Sequence, residues 1–288
     1  YYVDDMGKQV GVLAWALENL SEEDVNRLLA EREPPSERWL DKADHQRVRW
    51  YQAAQILRKD AEETRKAQIE REIGELVHAS EHGDVDVLNS FESAYTPVLD
   101  GMLTTLSRLG ISYDTFTKES TFVVDGTVAQ LMERLDALDI AGTADNGAGF
   151  LDLGQRGLKG KTEFFYRRGD GSSLYATRDV AYHMWKWGES NRLVNVLGED
   201  HKLQAKQVGL TLEELDQQRP EVLFYSFIKL PEGKMSTRQG NVVFMDDLLE
   251  EAHAQASAVV RELRPEYDDE KVAAIAEAVG TAAVRFNI

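Results

Sequence analysis

The chain contains no cysteine, which excludes disulfides, a thiolate nucleophile and any Cys-built zinc or iron–sulfur site, and fits a cytoplasmic address. Proline is scarce, at 6 positions. Long apolar runs are missing as well: nothing approaches the roughly 18 consecutive apolar residues of a membrane helix, and no charged-then-apolar signal segment opens the chain. No membrane partner is therefore expected. Cations are in deficit, with 33 Lys and Arg against 51 Asp and Glu for a formal net charge of −18. Taken alone, that balance argues against nucleic acid, whose phosphates need cationic neutralisation. A second reading is adaptation to multimolar salt, where fields are screened within a few Å and carboxylates keep the surface hydrated. Unfolding curves at low and high KCl separate the two, and full stability without salt excludes the second.

What is present describes a folded globular protein. Hydrophobic residues make up 42% and charged ones 29% of 288 residues, enough for a sizeable core and about two domains. Tyr1 to Val3 read as a strand end, and Val10, Leu13, Ala14, Leu17 and Leu20 follow at helical spacing. Ser21 to Asp24 have the form of a capping box ahead of a helix that Pro34-Pro35 should end. Residues 41–82 form a highly charged stretch with sparse apolar positions, expected as a solvated helical insertion closed by Gly83. Helix is expected over 84–109, interrupted near Pro97, then an extended segment from Tyr113 to Val124 and a helix over 127–139. The Gly-rich alternating region from Gly142 to Leu174 predicts a small β region, with Arg168-Gly169-Asp170-Gly171 as a turn. Strands at 193–197 and 222–230 alternate with helices, which implies a parallel α/β sheet, and 246–263 and 269–287 read as helices.

Several segments can be set aside on chemistry. Gly160-Lys161-Thr162 lacks the Gly five positions earlier that a phosphate-binding P-loop needs, and strand rather than helix follows it. His78 and His82 stand one helical turn apart, but no third metal ligand is evident, so solvated histidines are expected and no metal site is assigned.

Three segments are sharper in combination. In Tyr175-Ala176-Thr177-Arg178-Asp179 a strand end delivers a phenol and the first turn of the next helix presents a carboxylate. Val196-Leu197-Gly198-Glu199-Asp200-His201 runs an apolar strand into glycine and polar groups, at the carboxyl end of a strand where open α/β sheets bind ligands. Lys234-Met235-Ser236-Thr237-Arg238 sets a lysine, a hydroxyl and an arginine on a loop flanked by Pro231, Gly233 and Gly240, a set suited to the charge of a transferring phosphate.

Lys234 to Arg238 resembles the KMSKS signature of class I aminoacyl-tRNA synthetases. Together with Tyr1 to Gln9, Leu174 to Asp179 and Val196 to His201, it is similar to archaeal-type arginyl-tRNA synthetases over essentially the whole chain, with four motifs in order. The resemblance implies an α/β fold built on a class I, Rossmann-type parallel sheet, with a helical insertion, a small β region and C-terminal helices. It places the catalytic core in 1–20 and 84–245, its first half truncated, the insertion in 21–83, and in 246–288 a helical segment leading towards an anticodon-binding domain. The implied activity is ATP-dependent conversion of L-arginine to arginyl-adenylate and transfer to tRNA(Arg), with Mg²⁺ accompanying ATP.

Residue by residue, the resemblance implies that Tyr175, Asp179 and His201 line the arginine pocket and that Gly198, Asp200, Lys234, Met235 and Ser236 meet ATP. Lys234, Ser236 and Arg238 would carry the catalysis. Thr237 stands where the signature has a second lysine, which removes one positive charge, and Arg238 is a candidate to compensate. The family's HIGH element is not found, and the chain opens on Tyr1 without an initiator Met, so it reads as a catalytic piece, inactive alone, of a longer polypeptide. The alternative is a synthetase-like paralogue that binds arginine or a nucleotide without charging tRNA.

Overall fold

A computed structural model describes residues 1–30, 39–226 and 243–288. The fold is mixed α/β and mostly helical. It opens with β1 (Tyr2–Val3) and α1 (Lys8–Asn19), then α2 (Glu22–Leu28), whose capping box forms as expected: Ser21 Oγ accepts from the Asp24 N–H and Asp24 accepts from the Ser21 N–H. The helix stops at Leu28, short of Pro34-Pro35, which lie outside the described residues.

The charged stretch is two helices, α3 (Ala43–Asp60) and α4 (Glu63–Glu81), ended by Gly83 at φ 78°. It is less solvated than its charge suggests, because Ala53, Ala54, Ile69 and Ile73 are fully buried. Then α5 (Val85–Arg108) runs unbroken through Pro97, where an interruption is expected from sequence. One lost backbone bond is outweighed there by a long amphipathic face that buries Phe91, Ala94 and Thr105. On that face Gly101 meets α3 so closely that a Cβ would lie 2.4 Å from the Asp44 carboxylate.

The segment expected as extended from Tyr113 to Val124 is instead a two-residue β2 (Thr117–Lys118) followed by a short α6 (Thr121–Val124). Threonine and valine favour strand, but the chain turns where Asp5 accepts bonds from the Ser120 N–H at 2.9 Å and Oγ at 2.6 Å, and Phe122 is buried by the turn. Next come α7 (Thr127–Asp136) and the small β region, an antiparallel sheet of β3 (Ala141–Thr143), β4 (Gly149–Asp152) and β5 (Glu163–Arg167). The predicted turn after it forms between Arg168 and Ser172, with Gly171 at φ 90°. Gly160-Lys161-Thr162 leads directly into β5, so strand does follow it.

Finally α8 (Tyr175–Glu189), β6 (Val194–Gly198), α9 (Lys202–Glu214), β7 (Glu221–Tyr225), α10 (Met245–Leu263) and α11 (Asp269–Asn287) follow in order. β1 pairs β2 and β6 pairs β7, both parallel. By contacts the chain divides into one unit of residues 1–11, 71–92 and 115–227 and another of 12–70, 93–114 and 228–288. The first holds a core of Phe122, Leu131, Leu135, Leu151, Leu153, Phe164, Tyr166, Val180 and Leu212. In the second, Leu109, Leu249 and Val284 pack together. Among the described residues no helix is long and apolar enough to cross a membrane.

Candidate active site

The Tyr175-to-Asp179 segment starts α8 itself: Leu174 is its N-cap, Tyr175 its first residue, and Asp179 lies in the second turn, not the first. As the chain leaves β5 for the helix, Leu174 still donates its N–H to Tyr166 O. Helical geometry then divides the segment by face. Thr177 and Arg178 turn inward, Thr177 Oγ1 donating to Tyr166 O at 2.6 Å and Arg178 pairing with the buried Glu119 and donating to Ser173 O at 2.9 Å. Their hydrogen bonds hold the fold. Tyr175 and Asp179, four apart, share the other face, with Tyr175 exposed and the Asp179 side chain 24% accessible.

Asp179 is lightly bonded for so covered a carboxylate. Gln204 Nε2 donates to Oδ2 at 3.4 Å, and His183 Nδ1 lies 3.2 Å from Oδ1. Among the described residues no Lys or Arg reaches it. Gln204 also ties the second motif to the first: His201 Nδ1 and Gln204 Oε1 are 3.1 Å apart, and His201 Nε2 is 3.8 Å from Asp200 Oδ2. Thus Asp179, His201 and Asp200 are brought into one string through Gln204, a residue the motifs did not single out although its i,i+3 spacing from His201 was there to read. Asp200 and His201 are exposed and Gly198 is buried at the end of β6. Gly198 has φ −65°, a conformation open to any residue, so its backbone geometry does not demand glycine.

Behind Asp179 lies an aromatic and ionisable wall. Tyr2 stacks on Tyr182 at 4.2 Å, and Tyr182 on Trp185 at 5.8 Å. Burial, then Glu119 and Asp179, pushes the Tyr2 hydroxyl far up, so it stays protonated; that buried hydroxyl has no partner among the described residues. Burial pushes Glu119 up to about 8, with Arg178 pulling back and Asp4 adding to the rise. Lys186 is pulled down to about 8 by burial, against the attraction of Asp179; its Nζ sits 4.4 Å above the Tyr182 ring and donates to Asn195 Oδ1 at 3.0 Å.

The remaining expectations fall elsewhere. Lys234, Met235, Ser236, Thr237 and Arg238 lie outside the described residues. His78 and His82 stack on each other at 4.0 Å, and His78 is exposed, 3.9 Å from Asp170. Asp44, His45 and Asp246 have ligand atoms close enough to share a cation, but Lys42 Nζ already lies among them, 2.9 Å from Asp44 and 2.6 Å from Asp246.

The family described as tRNA synthetases class I (R), catalytic domain, matches residues 1–287. An arginine--tRNA ligase of Methanocella arvoryzae is 43% identical over all of this chain and 48% of its own length. One from Methanothermobacter thermautotrophicus is 39% identical over 47% of its length. The chain thus spans about half the length of the curated relatives it matches. Among solved structures, Thermus thermophilus arginyl-tRNA synthetase superposes with a TM-score of 0.69 at 21% identity, covering 99% of this chain and 50% of that one. The Plasmodium falciparum arginyl-tRNA synthetase gives 0.63 at 11%, covering 98% and 43%. These two likenesses speak to the fold alone.

Proposed function

The chain belongs to the class I tRNA synthetase (R) catalytic-domain family, and from that premise we propose that it forms the arginine-activating part of an arginine--tRNA ligase. In this reading the α-carboxylate of L-arginine attacks the α-phosphorus of ATP, pyrophosphate leaves, and the arginyl group passes to the terminal ribose of tRNA(Arg).

The observation that carries the reading is Asp179. It is a largely covered carboxylate with one long hydrogen bond, one imidazole neighbour and no Lys or Arg partner among the described residues, one helical turn from the exposed phenol of Tyr175. A guanidinium is a planar fork of donors that a carboxylate accepts in two places, a geometry that the point charge of lysine does not match. Tyr175 and Asp179 take the guanidinium, and Gln204 and His201 extend the same string towards the main-chain groups of the amino acid. Gly198 and Asp200 face ATP's ribose. Lys234, Met235, Ser236 and Arg238 take the phosphates as pyrophosphate departs; this assignment rests on their motif. Mg²⁺ enters as the companion of ATP, since the Asp44, His45 and Asp246 group is already occupied by an ammonium and does not fit a divalent ion. We assign residues 1–20 and 84–245 to the catalytic core, 21–83 to an insertion and 246–288 to the approach to an anticodon-binding domain, and place the protein in the cytoplasm.

Calorimetric titration with L-arginine and with citrulline, which has the same shape but no cationic guanidinium, tests the reading. Arginine is expected to bind at least about a hundredfold more tightly, since citrulline leaves the carboxylate without a counter-charge. Equal binding of the two, or none of arginine, overturns it. In the intact native protein, arginine binding without arginine-dependent pyrophosphate exchange would point to a paralogue that does not charge tRNA.

A further inference from the structure

Four side chains in the first unit form a chain of hydrogen bonds with one direction. At one end Lys186 Nζ is 3.0 Å from Asn195 Oδ1. An ammonium only donates, so the Asn195 atom facing it must be the carbonyl oxygen, and the amide nitrogen is left to face the other way. That nitrogen lies 2.7 Å from His183 Nε2. An amide N–H only donates, so Nε2 must accept and carry no proton. The ring's one proton then sits on Nδ1, which lies 2.7 Å from the Asp179 carbonyl oxygen and 3.2 Å from its carboxylate Oδ1. His183 is itself buried, 4% exposed, at the centre of the string.

We propose that Lys186 and Asn195 lock His183 in its neutral Nδ1–H form, so that the imidazole, bonded to the Asp179 carbonyl oxygen, lies beside the Asp179 carboxylate without neutralising it. The distinction matters for a site that must receive a cation. An imidazolium in the same place would hold Asp179 equally well, but it would cancel the charge that an incoming guanidinium needs. Protonating Nε2 would set an N–H against the Asn195 N–H; turning the amide to relieve that clash would set its N–H against the ammonium of Lys186. The lysine therefore resists protonation of a ring it does not touch. His183, Asn195 and Lys186 are positioning residues, and the inference rests on the assignment of Asp179 to the arginine pocket.

Histidine NMR on the 288-residue chain reads the lock directly, because two-bond ¹H–¹⁵N couplings report which ring nitrogen carries the proton. The other ionisable groups around the string are Arg178, Tyr182 and Lys186 on α8, Tyr2 and Asp4 at β1, Glu119 after β2, and Asp200 and His201 beyond Gln204. Glu119, pushed up to about 8 by burial, titrates nearby, so variants are compared with the parent at matched pH. His183 is expected to show one tautomer, with its proton on Nδ1 and Nε2 bare. In Lys186→Gln the amide is free to turn, and in Asn195→Asp a carboxylate faces Nε2, so in both the couplings should report a proton on Nε2. A proton on Nε2 in the parent, or an unchanged tautomer in either variant, overturns the proposal.

Arginine titration supplies a second readout. Asn195→Asp should weaken arginine binding by about tenfold or more, and Lys186→Gln should weaken it by less. If Asp179→Asn leaves arginine binding intact, the pocket assignment fails whatever His183 does. If Asp179→Asn abolishes binding while both other variants track the parent across pH, the lock fails and the pocket stands.

Discussion

Two carboxylates on helices, one in each unit, show how differently this chain treats similar charges. Asp246, on the first turn of α10, is 4% exposed and saturated: Lys42 Nζ lies at 2.6 Å, His45 Nε2 at 2.9 Å and Thr105 Oγ1 at 2.8 Å. Burial would raise its pKa, but the bonds from Lys42, His45 and Thr105 outweigh that and hold it below the ordinary carboxylate range. Asp179 is also largely covered, yet no Lys or Arg reaches it among the described residues, and the Gln204 amide donates to it only at 3.4 Å. A carboxylate that has its cation inside the fold is an anchor, and one held in shape with no Lys or Arg against it among the described residues is, in the function proposed above, a receptor. The difference lies in what surrounds the charge, because both groups are aspartates on helices.

The comparison makes crossed predictions. Asp179→Asn should cost about 3–5 kcal/mol of arginine affinity, since a desolvated guanidinium would lose its counter-charge, while the urea midpoint stays close to that of the parent. Asp246→Ala should do the reverse and lower unfolding stability by about 1–3 kcal/mol, because Asp44 still faces the Lys42 ammonium but His45 and Thr105 lose their carboxylate acceptor, leaving arginine affinity alone. Because Asp246's carboxyl is depressed in the fold, the stability it contributes is full above its unfolded value and is lost as pH falls through the lower folded one. The alanine variant should therefore lose part of the acid limb of the stability profile. Unfolding curves and calorimetry on both variants decide, and the comparison collapses if either substitution shifts both quantities alike.

Tyr175→Phe should have a smaller effect. The hydroxyl sits on an exposed ring, and removing one hydrogen bond from it should weaken arginine binding by about 1 kcal/mol without changing stability. A loss as large as that of Asp179→Asn would make the tyrosine, rather than the carboxylate, the principal contact.

Much of this was legible in the sequence because it depends on local pattern. The helices at 245–263 and 269–287, the capping box at Ser21 and the small antiparallel sheet each follow from spacing, caps and turn residues. Tyr175, Asp179, Asp200 and His201 could be singled out because their motifs are contiguous. What the sequence hid depends on partners distant along the chain. Thr121 to Val124 look like strand until Asp5, more than a hundred residues earlier, captures Ser120. Pro97 looks like a break until the packing around α5 is known. Arg178 and Asp179 are adjacent and both charged, and only Glu119 decides that the arginine turns inward as a fold contact while the aspartate does not. Asn195 and Lys186 belong to no motif, and only the fold brings them to His183.

A pH-dependent effect at the alkaline end concerns Lys186. Its ammonium is pulled down to about 8 by burial, from an ordinary value near 10.5. Between those values the folded chain has already released a proton that the unfolded chain still holds. Stability should consequently rise with pH from about 8 to 10.5 on account of this group, and the gain should be lost again as pH falls through 8. Lys186→Met keeps the aliphatic packing over Tyr182 and removes the titration, so its stability should follow the parent below pH 8 with a constant offset and lack the rise above it. Unfolding measured across pH 7 to 10.5 for both chains checks this against Asp246→Ala, whose departure lies at the acid end. An alkaline rise of equal slope in Lys186→Met would mean that the ammonium is as well hydrated in the fold as in the open chain, and that the positioning of His183 is held by a charge still in contact with water.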